Sequence, residues 1–182
     1  MSVKVIAISG HAGHGKDTMA NIIEDYLKQD GKTVLITHYA DLLKYICQTF
    51  FGWNGRKDEK GRSLLQYVGT DVIRKSEPNF WVDFVADIIK YFEEQWDYVL
   101  IPDTRFPNEF DRLKEKGLDA VHVRVIRKNY QSLLTDEQKK HPSETALDDT
   151  VPDFLFENSG SIDELRQKIK TWITEELYEQ RR

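Results

Sequence analysis

An α/β fold with a five-stranded parallel sheet between layers of helices is the class that this sequence predicts. Three observations predict it. Short apolar, β-branched runs alternate with amphipathic helical stretches five times along the chain. No tight hairpin turn joins two of these runs, so right-handed crossovers between parallel strands follow. With 182 residues, 40% of them hydrophobic and 12% aromatic, the chain holds enough apolar material for one sizeable core.

Val3–Ser9 is a buried-strand pattern closed by Gly10. After Lys16, Met19, Ile22, Ile23, Tyr26 and Leu27 recur at helical spacing, and Gly31 stands where a helix-terminal glycine belongs. Thr33–Thr37 is the second strand. Leu42, Leu43, Ile46, Cys47, Phe50 and Phe51 make a helical stripe that ends at Gly52, and the polar stretch Trp53–Gly61 reads as a loop. Leu64, Leu65, Val68, Val72 and Ile73 predict a helix broken near Pro78. Trp81, Phe84, Val85, Ile88, Ile89 and Phe92 form the cleanest stripe of all. Tyr98–Ile101 is the third strand, followed by Pro102 and Asp103. A helix over Glu109–Lys116 ends at Gly117, and Ala120–Ile126 is the fourth strand. Lys128–Thr150 is polar and poorly periodic, an excursion from the core. Phe154–Phe156 is the fifth strand. Ser161 caps a final helix, with Glu164 completing a capping box and Leu165, Ile169, Trp172, Ile173 and Leu177 on its apolar face.

The formal charge is −5, without the basic surplus usual for a protein that lives on duplex nucleic acid. Cys47 is the only cysteine, so no internal disulfide forms. No apolar run approaches the roughly 18–20 residues that span a bilayer, and the amino terminus carries no convincing cleavage site. A cytoplasmic protein without membrane contact is expected.

Between the first strand and helix lies Gly10-His-Ala-Gly-His-Gly-Lys16, a match to G-x-x-x-x-G-K. Such glycines let several main-chain N–H groups converge on one anion, the helix adds its positive end, and the lysine adds a full charge. Gly10, Ala12, Gly13, His14, Gly15, Lys16, Asp17 and Thr18 are therefore the candidate nucleotide-holding residues, with Lys16 also catalytic. The strict motif has a hydroxyl residue after the lysine. Here Asp17 occupies that place, and a carboxylate beside a triphosphate is repulsive unless it turns away or joins the magnesium shell. Thr18 is the expected hydroxyl near Mg²⁺.

A second acid at a strand end should hold the metal's water shell. Asp103 fits, although a solvated turn aspartate would look the same, and Asp41, past the second strand, is either a further site acid or a helix cap. Phosphoryl transfer needs positive charge around the oxygens in flight. Arg105 and Arg127 follow strand ends, where open α/β sheets bind ligands, and both are candidate catalytic groups. Arg74 and Lys44 are further substrate-binding candidates, alongside Asp41, Asp103 and Arg105. The excursion, with its Lys139-Lys-His-Pro-Ser-Glu144 cluster, reads as a closing lid or a solvated loop.

These residues resemble the phage-type deoxynucleoside monophosphate kinases, in the nucleotide-kinase branch of P-loop proteins. The likeness runs nearly the whole chain. It rests on Ser9–Thr18, Tyr39-Ala-Asp-Leu-Leu-Lys44, Leu64–Thr70 through Arg74, Phe80-Trp81, Ile101-Pro-Asp-Thr-Arg-Phe-Pro-Asn-Glu109, His141-Pro-Ser-Glu144 and Glu157-Asn-Ser-Gly-Ser161. The resemblance implies ATP as donor, Mg²⁺, and a deoxynucleoside 5′-monophosphate as acceptor. It implies that the turn holding Asn158 and Gly160 lies by the adenine, and that Arg74 and Arg105 lie near the acceptor phosphate. One domain is expected, with a core of residues 1–45, 96–127 and 151–182, an acceptor-binding helical region at about 46–95 and a lid at about 128–150.

Two other functions stay open on the sequence. A kinase acting on a hydroxyl, such as a dephospho-coenzyme-A-like or nucleoside acceptor, would need Asp41 as base. A nucleotide-binding regulatory protein would transfer nothing. Tyr39, Trp53, Tyr67, Phe80 and Trp81 either stack an acceptor base or pack in the core, and the final helix with Trp172 and Leu177 serves either the core or a homodimer.

Overall fold

The computed structural model describes residues 2–178; residues 1 and 179–182, the outer ends of the expected core, lie outside the described residues. Five strands form one parallel sheet: β1 (Lys4–Ser9), β2 (Val34–Ile36), β3 (Tyr98–Thr104), β4 (Asp119–Ile126) and β5 (Phe154–Glu157). Their order across the sheet is β2-β3-β1-β4-β5. All six residues of β1 are buried, as a central strand covered on both faces requires. Its side chains alternate between two cores. Ile6 and Ile8 pack with α1 (Lys16–Gln29) and with α8 (Ile162–Trp172) and its wider-wound extension Ile173–Tyr178. Val5 and Ala7 pack with α2 (Ala40–Phe51), α4 (Phe80–Tyr91) and α5 (Pro107–Glu115). Trp172 and Leu177 are buried in the first of these cores, so the apolar face of the final helix is used by the chain itself.

The departures from the expected elements are local. The stretch read as a loop closes early, because Asp58 caps α3 (Glu59–Gln66) by accepting the Gly61 N–H at 2.8 Å. From Tyr67 to Arg74 that helix widens into π-helical turns, a change of pitch to which side-chain periodicity is blind. Strand β3 runs on to Thr104, through Pro102. Its register with β1 slips between Ala7↔Ile101 and Ser9↔Thr104, a bulge that accommodates the proline and re-aims Asp103. Helix α5 starts at Pro107 rather than Glu109, since proline suits the first helical position. The excursion contains two short helices, α6 (Asp136–Lys140) and α7 (Pro142–Thr145).

Strand β1 lies between β3 and β4, and past its carboxyl end the chain turns outward to β2 while β4 and β5 extend the sheet on the other side. That end is the natural crevice of an open parallel sheet, and residues 10–15 sit in it.

Candidate active site

The loop after β1 is shaped by its backbone. Gly10, Gly13 and Gly15 all have positive φ, at 141°, 83° and 100°. At Gly10 an added Cβ would collide with the Val125 carbonyl oxygen, so the loop can hug β4 only with glycine there. Gly15 precedes the first turn of α1. Lys16, 9% exposed, folds back under the loop and donates through Nζ to the carbonyls of Gly10 at 2.7 Å and His11 at 3.1 Å. Burial, then the nearby charge of Arg105, pulls the Lys16 pKa down to about 8. From the end of β5, Asn158 Nδ2 donates to the His14 carbonyl at 2.9 Å, and the Asn158 N–H donates to Ile126 at 2.7 Å. Gly160 is exposed, beside the Glu164 carboxylate. The exposed Arg127 donates its N–H to His14 Nδ1 at 3.3 Å, and its guanidinium lies 5.3 Å from the Tyr130 ring centroid.

Asp17 turns toward His38, whose Nε2 lies 3.3 Å from its carboxylate; the other ring nitrogen of His38 lies 3.4 Å from Asp41. The hydrogen bond to Asp17 raises the His38 pKa, and the same bond lowers that of Asp17. The carboxylate that breaks the strict loop motif is thus matched by a histidine that it draws toward the protonated form. Asp41 also accepts from Lys44 Nζ at 2.7 Å and from the His38 N–H at 3.2 Å, which makes it a first-turn acid of α2. The bulged Asp103 reaches across to the start of α2, where it accepts the Tyr39 and Ala40 N–H groups at 3.0 Å each.

The two arginines expected near an acceptor are each paired. Arg74 is bonded to Glu109, stacks 3.9 Å from the Phe106 ring centroid, and keeps its Nε buried without a partner among the described residues. Glu109, 2% exposed, also accepts the N–H groups of Arg105 and Phe106 at 2.7 and 3.1 Å. Burial raises its pKa, against the pull of Arg74. Arg105 is bonded to Glu144 and to the Ser143 carbonyl, the latter at 2.9 Å.

A cavity of about 390 Å³ joins these parts. Ala12, Gly13, Lys16, Asp17, Lys44, Arg74, Asp103 and Arg105 all line it. Its lining leaves out Gly10, His14, Gly15, Thr18, Asp41, Arg127, Asn158 and Gly160. Thr18 lies on the exposed face of α1, and Asp41 is held by His38 and Lys44. Of the aromatic residues, Tyr39 and Trp81 are buried and line the cavity; Trp53, Tyr67 and Phe80 do not line it. Sequence reasoning did not single out His38, Glu109 or Tyr130 as lining residues. Glu109 was legible only as part of a quoted motif, and a lone histidine or tyrosine carries no spacing signal. Asp17, Asp103 and Glu144 are the carboxylates beside Lys16, while no cluster of three or more His, Cys, Asp or Glu able to hold a metal occurs among the described residues. That donor set suits Mg²⁺, which keeps most of its waters and shares substrate phosphates, rather than a metal caged wholly by protein.

Sheet order, glycine loop and buried lysine together define a P-loop kinase fold. Among solved structures, an APS kinase of Mycobacterium tuberculosis, in complex with AMPPNP and APS, superposes with a TM-score of 0.55 over 95% of this chain and 98% of its own, at 14% identity. Residues 43–169 match the family model for deoxynucleotide monophosphate kinase, and the chain belongs to that family. The match begins after Lys16, so the loop geometry and the family membership rest on different residues. The deoxynucleotide monophosphate kinase of Enterobacteria phage T4 is 33% identical over 114 residues, which are 62% of this chain and 44% of that protein. This chain therefore spans less than half the length of the phage relative. A putative deoxynucleotide monophosphate kinase of Acanthamoeba polyphaga mimivirus is 28% identical, over 91% of this chain and 93% of its own.

Proposed function

We propose that this chain transfers the terminal phosphoryl group of ATP to a deoxynucleoside 5′-monophosphate, giving a diphosphate and ADP. The observation that carries the reading is that one cavity is lined by Ala12, Gly13 and Lys16 together with Arg74 and Arg105. Family membership supports the monophosphate acceptor. An adenine nucleotide analogue bound to an APS kinase of this fold supports ATP as donor. Arg74 lines the cavity, and its guanidinium is a group suited to phosphate oxygens.

An acceptor phosphate has its second pKa near 6 and is largely ionised at neutral pH, so its oxygen needs no side-chain base. The protein then contributes position and charge. Main-chain N–H groups of the loop hold the donor's phosphates, and Lys16 balances their charge. Arg105 and Arg74 orient the acceptor phosphate, with residues 46–95 as the acceptor-binding region and 128–150 as the lid that excludes water. Arg127, Asn158 and Gly160 do not line the cavity, and Arg127 and Asn158 bond His14 of the loop, which suits a place along the donor nucleoside. Asp103 would hold Mg²⁺ through its water shell; when bound, the ion supplies further charge neutralisation. The enzyme would work in the cytoplasm, that of the host if phage-encoded. A hydroxyl acceptor fits less well, because Asp41 is engaged by His38 and Lys44 and does not line the cavity.

A panel of ribo- and deoxynucleoside monophosphates, each with ATP and Mg²⁺, tests the reading through acceptor-dependent ADP release. Release with at least one deoxynucleotide is expected. ATP consumption indifferent to every acceptor would overturn it.

A further inference from the structure

Glu144 is a buried charge to which the transfer reading assigns no part. Its side chain is 6% exposed and comes from α7, in the polar excursion. One carboxylate oxygen, Oε2, accepts the Ala12 N–H of the phosphate loop at 3.0 Å. The other pairs with Arg105 Nη1. Burial alone would raise its pKa, yet Arg105, the Ala12 N–H and Lys16 together hold it below the usual carboxylate value, so the group is an anion. A loop amide, a guanidinium and a neighbouring ammonium are the donors that a phosphate oxygen would take. The Ala12 N–H has one hydrogen to give, and a second anion beside the first is repelled.

We propose that Glu144 is a built-in competitor of the nucleotide's phosphates: its carboxylate holds Ala12 and Arg105 in the manner of a phosphate oxygen, and the nucleotide gains the loop by displacing it. The inference rests on the reading that this loop takes a nucleotide's phosphates. Displacement would also release Arg105 from its carboxylate partner, so the arginine reaches an acceptor phosphate only once the donor is seated. The segment has other anchors that survive the exchange. Arg124 donates to the Leu147 carbonyl, Asp148 lies 3.2 Å from His11 Nε2, and the Tyr130 ring lies so close over Gly13 that a Cβ there would strike it. Glu144 can therefore let go without the whole excursion leaving the loop.

The test uses inorganic tripolyphosphate without metal, titrated calorimetrically into the full chain and into Glu144→Gln and Glu144→Ala, with adenosine as a phosphate-free control. Both variants are expected to bind tripolyphosphate about 5–10-fold more tightly than the parent, since a like charge has been removed. Adenosine affinity should stay unchanged, whereas a merely structural loosening would move it too. Equal or weaker tripolyphosphate binding in both variants overturns the proposal. Tighter binding in both variants, alongside no acceptor-dependent ADP release from the parent, would leave this inference standing and defeat the proposed function.

Discussion

The two walls of the cavity present their donors by different means. The loop wall is local: one run of residues from Gly10 to Lys16, shaped by backbone torsions, with its one ammonium bonded to the loop's own carbonyls. The facing wall is assembled from distant elements, and each arginine on it is already matched, Arg74 to Glu109 and Arg105 to Glu144. Main-chain donors stay in place whatever is bound. Side-chain donors must be held, and buried guanidinium groups are held most readily by carboxylates. Damage to the loop should therefore remove catalysis while sparing the fold. Damage to the facing wall should touch both.

Lys16→Met is the largest expected effect. Loss of the loop's buried ammonium should lower kcat/KM by about a thousandfold. Stability should move the other way. A buried lysine whose pKa is drawn down to about 8 favours the unfolded chain at neutral pH. Methionine fills the same space without charge, so a gain of roughly 1–3 kcal/mol is expected in urea unfolding at pH 7. A loss of stability would mean that the lysine's bonds to Gly10 and His11 outweigh its burial, and the contrast between the walls would disappear.

Arg74→Met should show the opposite signature. It leaves Glu109 buried without its counter-charge, which destabilises by about 3–5 kcal/mol. The acceptor KM should rise about 10–100-fold, with the KM for ATP little changed. Because burial raises the Glu109 pKa, the folded variant would bind a proton more readily than the unfolded chain, so its deficit should shrink as pH falls and grow as pH rises. Adding Glu109→Gln should restore most of the stability but not the acceptor KM. Recovery of both would reduce Arg74 to a structural ion pair.

How much of this was legible in the sequence follows the same division. The loop could be read because its residues are contiguous and the motif states its own geometry. The five strands could be read because a parallel sheet buried on both faces demands apolar runs. The position of Asp103 at a strand end was legible, but its grip on the Tyr39 and Ala40 amides was not, since that depends on the bulge across Pro102 and on how closely α2 approaches. Glu144 was visible only as one polar residue in an aperiodic stretch, 132 positions from the amide it holds. The choice for Trp172 and Leu177 between core and partner surface rested on packing, and packing put them in the core. His38 had no signal of its own: Asp41 stands only three residues on, but Asp17 comes within reach only once the start of α1 and the turn after β2 meet at the carboxyl end of the sheet.

That histidine supplies the smallest test, at the point where the loop depends on the rest of the protein. Asp17 stands where the strict motif has a hydroxyl, and His38 is the group that offsets its charge. His38→Gln keeps a hydrogen-bonding side chain but removes the cation, so the Asp17 carboxylate would face the triphosphate uncompensated. The expected result is a rise of about 3–10-fold in the KM for ATP, with kcat nearly constant. Asp17→Ser alone should be close to neutral, and Asp17→Ser combined with His38→Gln should return KM to the parental range. The pH dependence has a definite sign. Hydrogen bonding to Asp17 raises the His38 pKa, so the pair's contribution to stability is fully present below about 6.5, the ordinary histidine value, and is lost as pH rises through the folded value. ATP affinity should weaken over the same interval, and in Asp17→Ser the histidine-linked part of that weakening should vanish. If KM climbs equally in His38→Gln and in the double variant, the imidazolium acts on the phosphates directly, and the loop wall is less self-contained than its geometry implies.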